Sequence, residues 1–385
     1  MRDAILVGLR QSGSEIKALP AFLGRLRADA SGRAVALDVG GTHARAAWIE
    51  LDRGKAKLLA PEISSAIMER AAHGEISRAE FFEAQVEIVV AACPDPELRV
   101  GYCFSYPATI APTRDAVLIE WTKGIRVADT IGQSVGRLLA DELARHGRKA
   151  LALPVLNDTV ASLLAGAALA PQCAHHIGLI VGTGTNMAGF FPVRDIAKLD
   201  AAARAGWHDD DTMAVNLESG DFNPASVLTP WDRALDAGLR PEQRGKQRFE
   251  KTISGAYLPK LLWQIAGRET CLEAGFDIDD PHIDAGRVAS LRDHPALGEA
   301  ATAILDRSAD MVAAGLAGLL RAYGSDGEDT GVLVEGTPFH KTEGYAERVA
   351  GRLRELAPHA PVRFIPLESS AIPVNLLGAA SAALL

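Results

Sequence analysis

Twice along this chain an apolar, strand-like run breaks into a Gly/Thr turn and resumes as a second strand: Ala34-Val-Ala-Leu-Asp38-Val-Gly-Gly-Thr42 and Ile177-Gly-Leu-Ile-Val-Gly-Thr-Gly-Thr-Asn186. From Ala34 to about Leu59 the pattern predicts three consecutive strands, with Gly40-Gly41-Thr42 and Asp52-Arg53-Gly54 as hairpin turns. Residues 15–28 space apolar positions as a helix does, begun or kinked by Pro20. Phe81–Ala92 predicts a helix, Val100–Ser105 a strand, and Thr130–His146 a second helix with Leu138, Leu139 and Leu143 inward. Leu153-Pro-Val-Leu-Asn157-Asp158-Thr159 ends another apolar run, and Thr159–Ala170 continues with Val160, Leu163, Leu164 and Ala167 at helical spacing. Asp158 therefore falls at a strand-to-helix junction. Glu299–Arg321 predicts a long helix, Gly331–Glu335 a strand, Thr342–Leu356 a helix and Val374–Leu385 a terminal helix. Strands alternating with helices imply an α/β class.

The chain's 385 residues exceed what one core usually organises, so two lobes with a cleft are expected. Hydrophobic residues make up 48% and charged ones 23%, the balance of a soluble globular protein. A formal charge of −9 argues against a broad nucleic-acid surface, which needs a basic stripe, but leaves a nucleotide possible. Cys93, Cys103, Cys173 and Cys271 lack C-x-x-C spacing, so neither a zinc site nor a disulfide framework is indicated. The short apolar run among Arg2, Asp3 and Arg10 is no signal peptide, and Ala371–Leu385 is too short to span a bilayer. A cytoplasmic protein without membrane contact is predicted.

Turns without Cβ atoms expose backbone N–H groups to anions, and two of them suit the two ends of one polyphosphate. The first turn has Asp38 before it, placed to hold Mg²⁺ through water while Thr42 faces phosphate, and Arg45 follows. The second adds the hydroxyls of Thr183 and Thr185. Asn157-Asp158-Thr159 is a good helix cap as it stands; it serves chemistry only if Asp158 accepts a proton from an attacking hydroxyl. Taken singly, Ser105, Thr122, Lys123, Glu218 and Glu250 are unremarkable.

In series these segments resemble the hexokinase family closely and in order. Leu37-Asp-Val-Gly-Gly-Thr-His-Ala-Arg45 is similar to its first phosphate motif; Phe104-Ser-Tyr-Pro107 and Trp121-Thr-Lys-Gly124 follow as the sugar segment. Then come Asn157-Asp-Thr159, Gly182-Thr-Gly-Thr-Asn186, Asn216-Leu-Glu218, Phe249-Glu-Lys-Thr-Ile-Ser-Gly255 and Gly331-Val-Leu-Val-Glu-Gly-Thr337. Actins, chaperone ATPases and acetate kinases share the broad fold without the sugar residues. The resemblance implies an actin-like ATPase fold, two ribonuclease H-like sheets flanked by helices around an interdomain cleft. It implies transfer of phosphate from Mg-ATP to the 6-hydroxyl of a hexose, most readily glucose. Asp158 would be the base and Lys123 a second catalytic group; Ser105, Thr122, Lys123, Asn157, Asp158, Asn186, Glu218 and Glu250 would contact the sugar. Asp38, Gly40, Gly41, Thr42, Arg45, Gly182, Thr183, Gly184, Gly336 and Thr337 would hold nucleotide, with Asp38 reaching the metal through water. The implied small domain is 34–156, between a large-domain leader 1–33 and the large domain 157–373, with 374–385 returning to the small one. Monomer and homodimer both remain open, and a non-catalytic sugar sensor of the same fold is the alternative.

Three departures from the family pattern stand out. His43 replaces the usual Asn, Ser219 replaces a bulky aromatic and predicts a more open wall beside the sugar, and the C-terminal adenosine pattern survives only as Gly378-Ala-Ala380.

Overall fold

A computed structural model describes residues 1–280, 283–324 and 327–385. Helix α1 (Arg2–Arg10) leads into a two-residue strand β1 (Leu19–Pro20), and then β2 (Ser31–Val39), β3 (Ala44–Asp52) and β4 (Lys55–Leu58) form the predicted meander. Helix α2 (Arg78–Ala92) precedes β5 (Glu97–Phe104), and α3 (Val135–Arg145) precedes β6 (Val155–Leu156) and α4 (Asp158–Leu169). The second hairpin is β7 (His175–Val181) and β8 (Thr185–Pro192), followed by β9 (Thr212–Asn216) and the short α5 (Arg248–Ile253). Helix α6 (Gly298–Tyr323), β10 (Thr330–Glu335), β11 (Val362–Ile365) and α7 (Val374–Ala383) close the chain.

Two sheets result. The first runs β6-β5-β2-β3-β4, with short strands at Ile63–Ser65 and Lys149–Ala152 alongside; the second runs β1-β9-β8-β7-β10-β11. Register fixes what meets at their edges. Parallel pairing sets Asp38 beside Cys103 and Cys103 beside Leu156, so the Asn157–Asp158 junction leaves the first sheet next to Asp38. In the second sheet Val181 pairs with Thr185 and Ile180 with Glu335, while Ala188 pairs with Asn216. The second Gly/Thr turn, Glu335 and the Asn216–Glu218 segment thus share one edge.

Backbone-to-backbone packing binds the two sheets through α4 and α7. A Cβ on Gly378 of α7 would lie 2.1 Å from the Ala161 carbonyl of α4, and one on Gly178 of β7 2.5 Å from the Thr159 carbonyl. Gly101 on β5 meets α7 more closely still, at 1.7 Å from the Ala379 carbonyl. Only a hydrogen fits there. Gly101→Ala is expected to force strand and helix apart and cost about 1–3 kcal/mol, read as a lower denaturant midpoint with an unchanged m-value. An unchanged midpoint would show the packing to be loose.

Two expectations require correction. Residues 15–28 form no helix: Ala18 and Phe22 adopt left-handed φ of 46° and 53°, and the segment lies along β9, with Ala18 N–H donating to Leu217 O and Ala21 N–H to Ala214 O. Pro20, having no N–H, suits such an edge better than a helix interior. The predicted Thr130–His146 helix begins only at Val135, because the Thr130 hydroxyl is taken by the Val127 carbonyl and the Asp115 carboxylate caps the N–H groups of Gly136 and Arg137. Among the described residues no helix is long and apolar enough to cross a membrane, and all four cysteines are free and buried.

Candidate active site

The first turn is braced by the predicted sugar segment. Lys123 adopts a left-handed φ of 57° and sends its ammonium to the Ser105 carbonyl at 3.0 Å, 5.3 Å over the Tyr106 ring. A Cβ on Gly41 would fall 2.7 Å from Lys123 Cδ, so glycine is what lets this lysine cross the turn. The Tyr106 hydroxyl donates to the Gly40 carbonyl at 2.7 Å, and Ser105 N–H donates to Val39 O. Trp121, just before Thr122, donates its indole N–H to the Thr130 hydroxyl and packs edge-on against Phe81, Phe104 and Tyr106. Thr42 and His43 remain exposed at the tip.

The second turn is built the same way. Gly182 N–H donates to Gly184 O, and the carbonyls of Gly182 and Thr183 accept from Gly255 and Ala256 at the end of α5. The Glu250 carboxylate accepts the Thr185 N–H at 2.9 Å, and a Cβ on Gly184 would meet that carboxylate at 2.7 Å. Thr183 is exposed, but the Thr185 hydroxyl donates inward to Ile180 O. Thr185 therefore adds no hydroxyl to the cradle, contrary to the sequence expectation. Gly336, with φ of 120°, packs so tightly on Val181 and Gly182 that a Cβ would lie 1.9 Å from the Val181 carbonyl. Thr337 starts the short helix behind it.

Asn186 links the turn to the second carboxylate. Its amide donates to Asn216 Oδ1 at 2.7 Å, its carbonyl oxygen accepts from Met187 and Ser219 N–H, and Asn216 in turn donates to Glu218 at 2.7 Å. Glu218, like Lys123, is left-handed, at φ 54°. Burial pushes its carboxyl above the ordinary carboxylate range against the Asn216 hydrogen bond; burial, joined by the charge of Glu218, drives Glu250 up to about 7. Ser219 is fully buried and does not front an open wall. Gly378-Ala-Ala380 lies inside α7, where Gly378 packs on α4, so its contribution there is packing.

Asp158 stands at the first turn of α4. Asn157 caps that helix through Thr159 N–H, and Asp158 Oδ1 accepts from the same N–H at 2.8 Å; Oδ2 takes no protein hydrogen bond among the described residues. The cap reading and the chemical reading are therefore compatible, one oxygen serving each. Asp38 is buried, with Oδ2 held by Arg45 Nε and Nη2 at 3.1 and 3.0 Å. Burial raises its proton affinity in spite of Arg45, and the charge of Asp158 adds to the rise.

Glu335 completes this acidic group, and the sequence reading passed it over. It accepts a hydrogen bond from Ser162, one turn along α4 from Asp158, and burial together with the charges of Asp158 and Asp38 lifts it to about 7. Its signal was present: a carboxylate at a strand end just ahead of glycine, one residue closer to it than Asp38 is to Gly40. Asn216, Tyr106 and Asn375, whose amide reaches Asp38 Oδ1 at 3.5 Å, were missed because each acts through another residue, Asn216 on Glu218, Tyr106 on the Gly40 carbonyl and Asn375 on Asp38.

No three of these groups form a metal cage among the described residues. Mg²⁺ needs none, since it keeps several waters and takes one or two carboxylates plus phosphate. Asp38 Oδ1 and Glu335 are oxygen donors whose mutual repulsion a cation would relieve, so the donor set fits.

Two hexokinase family models match this chain, one along residues 1–168 and the other along 176–270 and 271–385. Human hexokinase-3 is 30% identical over 96% of the chain, and hexokinase-2 of Schizosaccharomyces pombe 32% identical over 66%. The chain spans only 43% and 57% of the lengths of those relatives. Among solved structures, a hexokinase from Schistosoma mansoni complexed with glucose matches with a TM-score of 0.74 at 25% identity, over 99% of this chain and 92% of that one. A ROK family glucokinase from Streptomyces griseus, in complex with glucose and AMPPNP, matches in fold with a TM-score of 0.54 at 18% identity, over 91% and 98%. The two sheets and their cleft are accordingly those of the actin-like ATPase fold. With its ordered motifs carried on that frame, this chain belongs to the hexokinase family.

Proposed function

We propose that this protein transfers the γ-phosphoryl group of Mg-ATP to the 6-hydroxyl of a hexose, with glucose the first candidate. The observation that carries the reading is the Asp158 carboxylate with one free oxygen, electrostatically coupled to Glu218 on the sugar side and to Asp38 and Glu335 on the phosphate side. A hydroxylated substrate needs many donors and acceptors, which Asn157, Asn186, Glu218, Glu250, Ser105 and Thr122 supply. Asp158 takes the proton of the attacking hydroxyl. The N–H groups of the Gly40–Thr42 and Gly182–Gly184 turns, with Thr42, Thr183 and Lys123, offset charge on the phosphates. Gly336 and Thr337 border the nucleotide beyond the second turn. Asp38 would hold Mg²⁺ through water, and the ion would supply neutralisation of phosphate charge. The lobe boundaries at 34–156 and 157–373, and closure of the lobes over the sugar to exclude water, belong to the same reading.

A coupled assay over a panel of hexoses and phosphoryl donors tests it. Turnover with glucose and ATP is expected; saturable glucose binding without turnover for any donor would leave a sugar sensor instead.

A further inference from the structure

The leader segment is tied to the sugar side of the cleft rather than running free. Leu19 and Pro20 pair with Asn216 and Val215, and Ala18 N–H donates to the Leu217 carbonyl, so the leader extends the sheet edge that carries Asn216 and Glu218. The Lys198 ammonium pins it from outside, donating to the carbonyls of Gly8 at 2.7 Å and Lys17 at 2.6 Å. Glu15 accepts the Asn223 N–H beyond the Glu218 turn. Between these fixed points the Lys17 ammonium meets the Asp221 carboxylate at 2.8 Å. Asp221 N–H closes the turn back onto the Glu218 carbonyl at 3.2 Å. Glu218 itself is held in the left-handed conformation, which a non-glycine residue keeps only where its surroundings over-determine it.

We propose that Lys17 is a positioning residue for the sugar pocket, holding the 218–221 turn through Asp221 so that the Glu218 carboxylate stands where a hexose hydroxyl meets it. The role is also electrostatic. Lys17 favours the ionised form of Glu218, whereas Asp221 opposes it; without the ammonium, an uncompensated carboxylate sits beside the sugar ligand. Since Lys17 is half exposed, its ion pair contributes little to global stability. Its effect should fall on one substrate. This inference rests on the sugar-kinase reading above.

The test compares the full chain with Lys17→Ala and Lys17→Arg by steady-state kinetics, calorimetric titration with glucose and thermal unfolding. Lys17→Ala is expected to raise the glucose KM and Kd by roughly three- to fivefold, with kcat and the ATP KM within about twofold of wild type and Tm within about 2 °C. Lys17→Arg should restore glucose affinity. A wild-type glucose Kd in Lys17→Ala would overturn the inference, as would a loss of affinity for both substrates accompanied by a fall in Tm that arginine does not rescue. Wild-type protein that neither binds glucose nor phosphorylates any hexose would instead bring down the sugar-kinase reading, and the role of Lys17 with it. Wild-type glucose binding without turnover leaves calorimetry to decide on Lys17 alone.

Discussion

Replacing Asp158 by Ala or by Asn should lower kcat by roughly 10²–10⁴-fold, the range for loss of a general base, while glucose binding survives within about tenfold. Asp158 Oδ1 is engaged by Thr159 N–H, and Asn157 already caps the helix through that same group. Loss of Asp158 therefore leaves a capped helix and a folded protein, and the Asn variant keeps even the Oδ1 acceptor. What it removes is the basic oxygen and one negative charge. Because the charge of Asp158 raises the proton affinity of Asp38, Glu218 and Glu335, those three should ionise more readily in either variant. Folding should be preserved or improved while turnover collapses. Near-normal kcat in Asp158→Asn would remove Asp158 from the role of base; a parallel fall in Tm would reassign it to the cap.

The sequence made the site legible where its chemistry is local in the chain. Asp38 before Gly40-Gly41-Thr42 and Asp158 at the start of α4 are readable because a carboxylate where a strand gives way to a turn or to a capped helix is a pattern within a few residues. The register of β2, β5 and β6 then brings them side by side, which no local pattern states. Glu335 obeyed the same local rule and was passed over because Gly336-Thr337 drew the reading to nucleotide contact. Lys17 was illegible for a different reason. Its helical spacing was real, but Pro20 cannot donate inside a helix while the edge of β9 accepts from Ala18 and Ala21 N–H, and tertiary pairing overrode periodicity. Thr185 failed in the opposite direction: a hydroxyl in a Gly/Thr turn looks available until the strand turns it onto Ile180 O.

Glu250→Gln should separate sugar binding from stability. Burial raises the Glu250 carboxyl from 4.5 to about 7, so the native state holds a proton there more tightly than the unfolded chain does. Stability from this group is then full below about pH 4.5 and lost as pH rises through 7, where the buried site must carry charge. A neutral amide escapes that cost and can still accept the Thr185 N–H. At pH 8 the variant should be more stable by about 1–3 kcal/mol, with the gain shrinking toward pH 5. Glucose should nevertheless bind roughly 10- to 150-fold more weakly, since a hydrogen bond from a sugar hydroxyl to an ionised carboxylate is worth about 1.5–3 kcal/mol. By the same logic, glucose affinity of the wild type should decline as pH falls through 7. Calorimetric glucose titration and thermal unfolding at pH 5 and 8 decide the matter. A variant less stable at pH 8, or one that binds glucose as wild type does, would mean that the strain on Glu250 serves no sugar, whereas the opposite pair of results would identify that strain as the energetic cost of keeping a charged acceptor ready in a dry pocket.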